Sequence, residues 1–534
     1  MKYLALSAAV FLVACNGSDT PSTTQVDPDT AASALEALHL ANSGDGIVSY
    51  GAREFDGGVY TFTDVVFTDM AQPDEDDVMV DEGDGIEREV EFDEMHAARM
   101  VLAGPRFDDD GNVIFDRLTI EEGRFVDPQD DNDGEGGFAS MILETPNAIM
   151  VADLARIFAG ADDDDLDGEG YQFGLVAIND LSMSGTDGET GETFAVAMDR
   201  FAMDDFDGES LQRFELMGFD VNAMADEVGP VRIQLAELSM DGLGQALFAS
   251  FGEGMRSAMA EAAGETPEAY ELPEDYDPMD AYDSFSMRGL DVNVGGVLVT
   301  MDSMTGEIDR SGNLIVGTTE LTPLVIRPDT EYQLGAQLAL GLGMLGYQQL
   351  EFTAAGESVY DVDTDRSYTR GDNYFEMTDG FRIETEMDMS GILEYSARAM
   401  TMSMASDSDM DPLAMFEPLI LNRLVLRIED QSILDRALTA GSAAQGMSKA
   451  ELRQQASAMI SLGMLGAPAE IPRPLLVELS EALVGFVNNG GNVVITLDPD
   501  APVSVGDLAR QAESQALDYE ALGLTIAHEA SDVE

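Results

Sequence analysis

The 534-residue chain carries 104 acidic residues against 26 lysines and arginines, a formal net charge of −78, and 45% of its residues are hydrophobic. This hydrophobic content is enough for a large folded core. A surface this negative repels phosphate backbones, which argues against nucleic-acid binding as a main function. Lys2 and Lys449 are the only lysines. The charge is typical of a solvated coat suited to saline water, where salt screens self-repulsion.

The N-terminus has the features of an export signal. Lys2 precedes an apolar run of eleven residues, 3–13. The run is too short to cross a bilayer but has the length of the hydrophobic region of a secretory signal. It ends in Leu12-Val13-Ala14-Cys15, and Cys15 is the only cysteine of the chain. An internal disulfide is therefore impossible, and the position of this cysteine indicates a different chemistry.

These four residues resemble the lipobox of bacterial lipoproteins. The resemblance implies that the signal 1–14 is removed, that the Cys15 sulfur receives diacylglycerol, and that the new amino group is acylated. It also implies the outer membrane, because Asn16 replaces the aspartate that retains many lipoproteins at the inner membrane. Several acyl chains, each worth about 0.8 kcal/mol per buried CH₂, anchor a body stably. The partner that the resemblance implies is membrane lipid. Residues 15–44 are then expected to form a lipidated tether and a short helix.

One pattern recurs along the body: apolar-x-apolar-x-x-apolar-x-apolar. On a helix these positions scatter, whereas on a strand each half alternates correctly. The extra residue between the halves shifts the facing by one, as a β-bulge or a bend in a long strand would. The copies are Tyr60–Phe67, Val113–Ile120, Val176–Met183, Val196–Met203, Phe214–Val221, Ile233–Met240, Phe285–Val292 and Leu419–Leu426.

The spacing of these copies predicts the architecture of residues 45–330. The four central copies begin 20, 18 and 19 residues apart, and Gly- and Asp-rich turns separate them. This predicts a long, bent antiparallel β-meander. A parallel β-solenoid has a similar period and is the alternative, but the irregular spacing elsewhere favours the meander. Helical spacing of apolar residues predicts interrupting helices at 146–159 and 242–263.

Residues 331–534 change character. Capping boxes at Ser432, Ser448 and Ser504 predict helix starts. A further helix is expected from Pro474 to Asn489, with short strands at 493–497 and 524–527. The whole chain is thus predicted to be α+β and β-rich, with a helix-rich C-terminal region. This layout, with Leu345-Gly-Tyr-Gln-Gln-Leu350 leading into a strand, is similar to uncharacterised envelope proteins of Gram-negative bacteria, a resemblance that implies no particular activity.

One segment has the spacing of a calcium loop. Asp163, Asp165 and Asp167 alternate and are followed by Gly168. Calcium requires six to eight oxygens, and the position of the bidentate acid of an EF-hand is occupied by Gly174. A calcium site and a solvated acidic loop therefore both remain open for this segment.

Other candidate chemistry is sparse. The match to G-x-G-x-x-G at Gly341–Gly346 lies at the end of a predicted helix rather than at a strand-to-helix turn. His39, His96 and His528 are far apart and lack zinc-ligand spacing. We therefore predict no catalytic residue, no metal site and no cofactor.

Three functions follow from this sequence. The leading hypothesis is a non-catalytic, lipid-anchored envelope protein that binds a lipid or a protein partner on a concave β-sheet. The alternative is a calcium-stabilised surface or adhesive protein that uses Asp163, Asp165 and Asp167. The third is a carboxylate-dependent hydrolase, which would require two facing acids about 5–9 Å apart.

Overall fold

The computed structural model describes residues 24–68, 94–126, 135–160, 170–186, 193–225, 229–244, 282–404, 414–465, 471–514, 517–519 and 521–530. The fold is α+β and β-rich, with 52% strand and 25% helix. The chain divides into two compact units, unit 1 (Met1–Glu268) and unit 2 (Ala269–Glu534). The boundary falls inside the segment 45–330 that was predicted as one meander.

Unit 1 contains two described helices, α1 (Pro28–Ala37) and α2 (Ala148–Phe158), and eleven described strands. The strands are β1 (Val48–Asp56), β2 (Val59–Thr68), β3 (Glu94–Ala103), β4 (Arg106–Phe107), β5 (Val113–Ile114), β6 (Arg117–Val126), β7 (Glu135–Glu144), β8 (Phe173–Thr186), β9 (Thr193–Phe206), β10 (Leu211–Ala225) and β11 (Gly229–Leu243).

The strands of unit 1 form the predicted antiparallel meander. Each of β1, β2, β3 and β6 to β11 pairs in antiparallel orientation with the next strand of this series. A parallel solenoid is incompatible with these pairings. β4 and β5 form a separate hairpin around residues 108–112. The strand β11 runs to Leu243, so no helix begins at Gly242 as was predicted, and 245–263 lies outside the described residues.

The repeated pattern corresponds to a crease across the strands. In β2, Tyr60, Phe62, Val65 and Phe67 are all buried, and Asp64 between them has a φ of +52°. A residue in the left-handed region reverses the pleat, so both halves of the strand present apolar side chains to one face. Pairing skips Asp64 against both neighbouring strands and resumes in the same register. Of the two predicted alternatives, a bulge or a bend, β2 therefore has the bend, without an inserted residue.

One copy of the pattern was assigned to the wrong residues. Val113 belongs to the β4–β5 hairpin, so Val113–Ile120 is not one strand. The true copy in β6 starts at Leu118 and has Glu122, with a φ of +54°, at its crease. Gly123 occupies the third apolar position of this copy. A larger residue does not fit there, because a Cβ would lie 2.0 Å from the Phe138 ring. A glycine at an apolar position concealed this copy from a search for hydrophobic residues.

Unit 2 contains eleven described strands and six described helices. The strands are β12 (Ser284–Val294), β13 (Val297–Ser311), β14 (Leu314–Pro328), β15 (Leu350–Asp361), β16 (Arg366–Thr369), β17 (Tyr374–Met377), β18 (Phe381–Ser390), β19 (Ile420–Asp430), β20 (Gly491–Leu497), β21 (Val503–Ser504) and β22 (Thr525–Glu529). The helices are α3 (Gln333–Met344), α4 (Ile392–Met404), α5 (Ile433–Gln445), α6 (Lys449–Leu465), α7 (Arg473–Asn489) and α8 (Val505–Glu513).

The strands of unit 2 also pair in antiparallel orientation. β12 to β15 follow one another, β15 pairs with both β16 and β17, and β18 continues from these two. β19 then pairs with β18, β20 and β21, and β22 pairs with β20. At β18–β19 the register shifts between Asp388 and Met389, so the copy at Leu419–Leu426 contains a bulge of the kind predicted.

Two of the three predicted capping boxes are confirmed. The Ser448 backbone N–H donates to Glu451 (2.8 Å), and the Ser504 hydroxyl accepts from the Asp507 N–H (3.2 Å). The helix start predicted at Ser432 is confirmed, since Ser432 is the N-cap residue of α5, but its hydroxyl donates to the Asp379 carbonyl and makes no capping hydrogen bond. The first turn of α5 is capped from Asp430, which accepts from the Leu434 N–H at 3.0 Å.

Candidate functional site

The strands β8 to β11 carry a continuous set of apolar side chains beyond the crease, which is marked by Asp180 in β8 and Gly218 in β10 with φ values of +50° and +61°. Met183, Val196, Val221 and Ile233 are cross-strand neighbours in one row. Because residues two apart on a strand share a face, the rows on either side of this one extend the same surface. We call this surface the β8–β11 apolar face; its other members are Leu181, Gly185, Phe194, Met198, Phe219, Ala223, Val231 and Leu235.

The exposure of this face differs among its members. Met198 and Leu235 are almost buried, the row of Met183 and Val196 is partly exposed, and Phe194 is 37% exposed. On the other side of the crease, the same sheet face belongs to the core of unit 1 and packs with α1 and α2 side chains. The face is thus a continuation of the core surface that is only partly covered.

The opposite face of the same strands is polar. Ser182, Ala197, Asp220 and Gln234 form a cross-strand row there. Asp220 accepts hydrogen bonds from Gln234 and from Asn222 on its own strand. The sheet therefore separates a charge-free face from a hydrogen-bonded face, as antiparallel sheets with one solvated side do.

Charges near the crease also lie on the polar face and are paired. Arg200 Nε lies 2.7 Å from Glu215 Oε2, and Arg213 Nη2 lies 3.2 Å from Glu215 Oε1. Burial raises the pKa of neighbouring Asp204, partly offset by the positive charge of Arg200. No charged residue belongs to the apolar face, so an apolar ligand there would desolvate no ion.

Among the described residues, the structure brings none of the candidate residues of the sequence together into one site. Cys15, Asp163, Asp165 and Asp167 lie outside the described residues. His96 is paired with Glu94 (2.7 Å), whereas His528 Nε2 lies 2.8 Å from the Gly490 carbonyl oxygen. The two histidines belong to different units. Within the described ranges, no group of three His, Cys, Asp or Glu side chains is placed to hold a metal ion.

The glycine-rich segment Gly341–Gly346 begins within α3 and ends just after it. A Cβ at Gly341 or Gly343 would meet no atom within 4 Å. This geometry differs from the strand–turn–helix that a dinucleotide-binding loop requires.

Sequence reasoning identified the strands of the apolar face but not its partial exposure. A usable signal was present in the spacing of the four central copies, which begin 18 to 20 residues apart. In the structure these four strands have 14 or 15 residues each, which leaves only a turn between successive copies. No helix can then be supplied from within this stretch to cover its apolar face.

Comparisons with known proteins identify no activity. A family model described as "Uncharacterized protein" matches residues 374–529, from β17 to β22 in unit 2. No curated protein matches the chain. Among the helices that the structure describes, none is long and apolar enough to cross a membrane.

Proposed function

We propose that this protein is an exported, lipid-anchored protein of the cell envelope that binds a lipid acyl chain on the β8–β11 apolar face. The role is non-catalytic. The observation that carries the proposal is the continuous, charge-free surface of Met183, Val196, Val221 and Ile233 in a chain whose net charge is −78. Outer-membrane anchoring is supported by the lipobox-type segment that ends at Cys15.

The chemistry of the face favours a hydrocarbon over a peptide. The side chains that form it have no hydrogen-bond donor or acceptor that could satisfy a polar ligand. A peptide segment would bring backbone N–H and C=O groups, and each unpaired polar group costs about 1–3 kcal/mol when buried. An acyl chain brings none and gains about 0.8 kcal/mol per CH₂ removed from water.

The composition of the face also suits a chain of variable shape. Met183 and Met198 contribute unbranched, polarizable side chains that adapt to irregular apolar surfaces. Val196, Val221 and Ile233 provide a stiffer floor between them, because β-branched residues have restricted χ1. The acidic coat disfavours an anionic headgroup close to the face, so the acyl chain is the recognised part.

The binding test compares two adjacent residues of β8 that face opposite ways. Met183→Asp places a charge on the apolar face, and Ser182→Asp places the same charge on the polar face. We expect full-length protein to copurify with bound lipid in addition to its own covalent acyl groups, detected by mass spectrometry, and to bind a fluorescent fatty acid. Met183→Asp should lose both signals and Ser182→Asp should keep them, with circular dichroism confirming the fold of each.

Three results would contradict lipid binding. They are the absence of lipid and of fatty-acid binding in the unaltered protein, equal binding by the two variants, and a dimer in light scattering that Met183→Asp disrupts. The last would assign the face to a second copy of the chain. The anchor is tested separately by metabolic labelling with a fatty acid, which should require Cys15; a Cys15→Ser protein that still labels would refute it.

A further inference from the structure

The first described residues of the chain are fastened to the body of unit 1 by Asp116. The Thr24 backbone N–H donates to Asp116 Oδ2 at 2.8 Å, and Arg106 Nη1 donates to Asp116 Oδ1 at 2.6 Å. Burial opposes ionisation of Asp116, but the hydrogen bonds from Thr24 and Arg106 outweigh it, and the pKa is lowered. The carboxylate thus holds Thr24 and Arg106 at once, and we call this arrangement the clasp.

Neighbouring contacts fix the same segment along its length. The backbone passes so close to Gly58, whose φ is +96°, that a Cβ there would lie 2.9 Å from the Thr24 carbonyl oxygen. Val26 packs against the core of unit 1, and the Asp27 side chain accepts from the Thr30 N–H to cap α1. The chain therefore enters unit 1 at a defined point.

The clasp lies at one end of the strands. Gly58 is in the β1–β2 turn, and Asp116 lies between β5 and β6, with its N–H bonded to the carbonyl of Ala103 at the end of β3. In the antiparallel series, the β8 terminus Thr186 lies at the other end. The β8–β11 apolar face lies on that far side of the crease. The strand β8 has 14 residues and is about 46 Å long.

Few residues separate the clasp from the proposed lipid anchor. From Cys15 to Thr24 there are nine Cα–Cα steps, which span at most about 32 Å. An acidic body is repelled by anionic headgroups, which disfavours laying a long side of unit 1 on the membrane. The tether is too short to let the clasp end of unit 1 move far from the membrane.

We infer that unit 1 stands with the clasp end toward the lipid surface to which Cys15 is anchored, and holds the β8–β11 apolar face away from it. This inference rests on the lipidation of Cys15 in the proposed function. The partner surface is the anchoring bilayer itself. An acyl chain bound to the apolar face is then separated from the membrane that anchors the protein.

The orientation is measured by energy transfer on full-length, acylated protein in phosphatidylethanolamine–phosphatidylglycerol vesicles. Acylation consumes the thiol of Cys15, so an introduced cysteine is the single labelling site. Asp56→Cys lies beside the β1–β2 turn, Thr186→Cys lies at the far end of β8, and both positions are exposed. With an acceptor lipid in the bilayer, transfer should be at least about twofold larger from position 56, given the length of β8. Equal or reversed transfer would overturn the inference.

Two controls separate the tether from other causes. A Gly/Ser insert of about 20 residues between Asp19 and Thr20 adds up to about 70 Å of contour and should abolish the difference between the two sites. A difference that survives the insert would mean that another surface orients the body, contrary to the inference. Asp116→Ala should accelerate hydrogen exchange of the Thr24 amide, and unchanged exchange would eliminate the clasp.

These readouts distinguish failure of the inference from failure of the proposed function. If fatty-acid labelling shows that Cys15 is not acylated, the anchor and the orientation both fall. If Cys15 is acylated but transfer is equal at the two sites, the anchor stands and only the orientation is wrong. Hydrogen exchange of Thr24 reports on the clasp in either case.

Discussion

Unit 1 and unit 2 use the same strand pattern but bury it to different extents. In unit 1 the pattern residues join a large core with α1 and α2, in which Phe62 and Phe67 have no exposed surface. In unit 2 the corresponding cluster is small: Leu342, Tyr347 and Met377 form its buried part among the described residues. Phe375, on a strand of this sheet, is 40% exposed.

The difference shows that the pattern determines a face and not its burial. Gly218 in β10 and Gly289 in β12 have φ values of +61° and +62° at equivalent pattern positions, so both units have creased strands. A core forms only where another element covers the face. In unit 1 that cover comes from α1 and α2, which precede and interrupt the meander.

The largest effect on the free energy of unfolding is expected when an aromatic ring is removed from each of the two units. Phe62→Ala removes a fully buried ring from unit 1 and should lower the free energy of unfolding by about 3–5 kcal/mol. Phe375→Ala in unit 2 removes a part-exposed ring stacked on Phe352, with centroids 5.6 Å apart, and should cost less than half as much. Urea unfolding followed by circular dichroism measures both, and equal losses would contradict the comparison.

Glycines of the two units should respond oppositely to alanine. Gly218→Ala places a Cβ in the left-handed region, 2.1 Å from Asp199 Oδ2, and should destabilise unit 1 by about 1–2 kcal/mol or more. Gly341→Ala lies in α3 with open space around it and should stabilise unit 2 by about 0.5–1 kcal/mol. Thermal unfolding of the two variants gives the signs; the same sign for both would refute this account of the crease.

Two carboxylates of unit 1 should give opposite pH dependences. The folded pKa of Asp116 is lowered, so its contribution is present above the unfolded pKa and is lost as the pH falls through the folded pKa. The folded pKa of Asp204 is raised, mainly by burial, so its ionisation weakens the fold as the pH rises above its ordinary value of 3.8.

At neutral pH, Asp116→Asn should therefore lower the melting temperature and Asp204→Asn should raise it slightly. Melting curves between acidic and neutral pH measure both effects. The difference in melting temperature between the two variants should shrink toward acidic pH. If it does not, the carboxylate charges are not the cause of that difference.

The smallest effect is expected on the exposed side of α3. Leu340 is 70% exposed, and Leu340→Gln should change the free energy of unfolding by no more than about 0.5 kcal/mol. Denaturant titration measures this value. A loss above 1 kcal/mol, well beyond what an exposed position shows, would mean that this side of α3 is covered in solution.

Much of the strand architecture follows from local sequence. The alternation in Tyr60–Phe67 predicts that its four apolar residues share a face, and the extra residue between the halves predicts the bend. The capping box at Ser448 is equally local, since both partners lie within one turn. The copy in β6 was misassigned because Gly123 has no side chain to be recognised as apolar, although the Phe138 ring of the next strand fills its place.

Local sequence was enough to predict which side chains share a face and the bend in β2, and it contains the lipobox-type segment at Cys15. These features depend on residues within a few positions of one another. Which part of the face is covered, and where the chain enters unit 1, became visible only in the folded structure. Thr24 and Asp116 are 92 residues apart, and a contact of this kind depends on the path of the intervening strands, which no local pattern specifies.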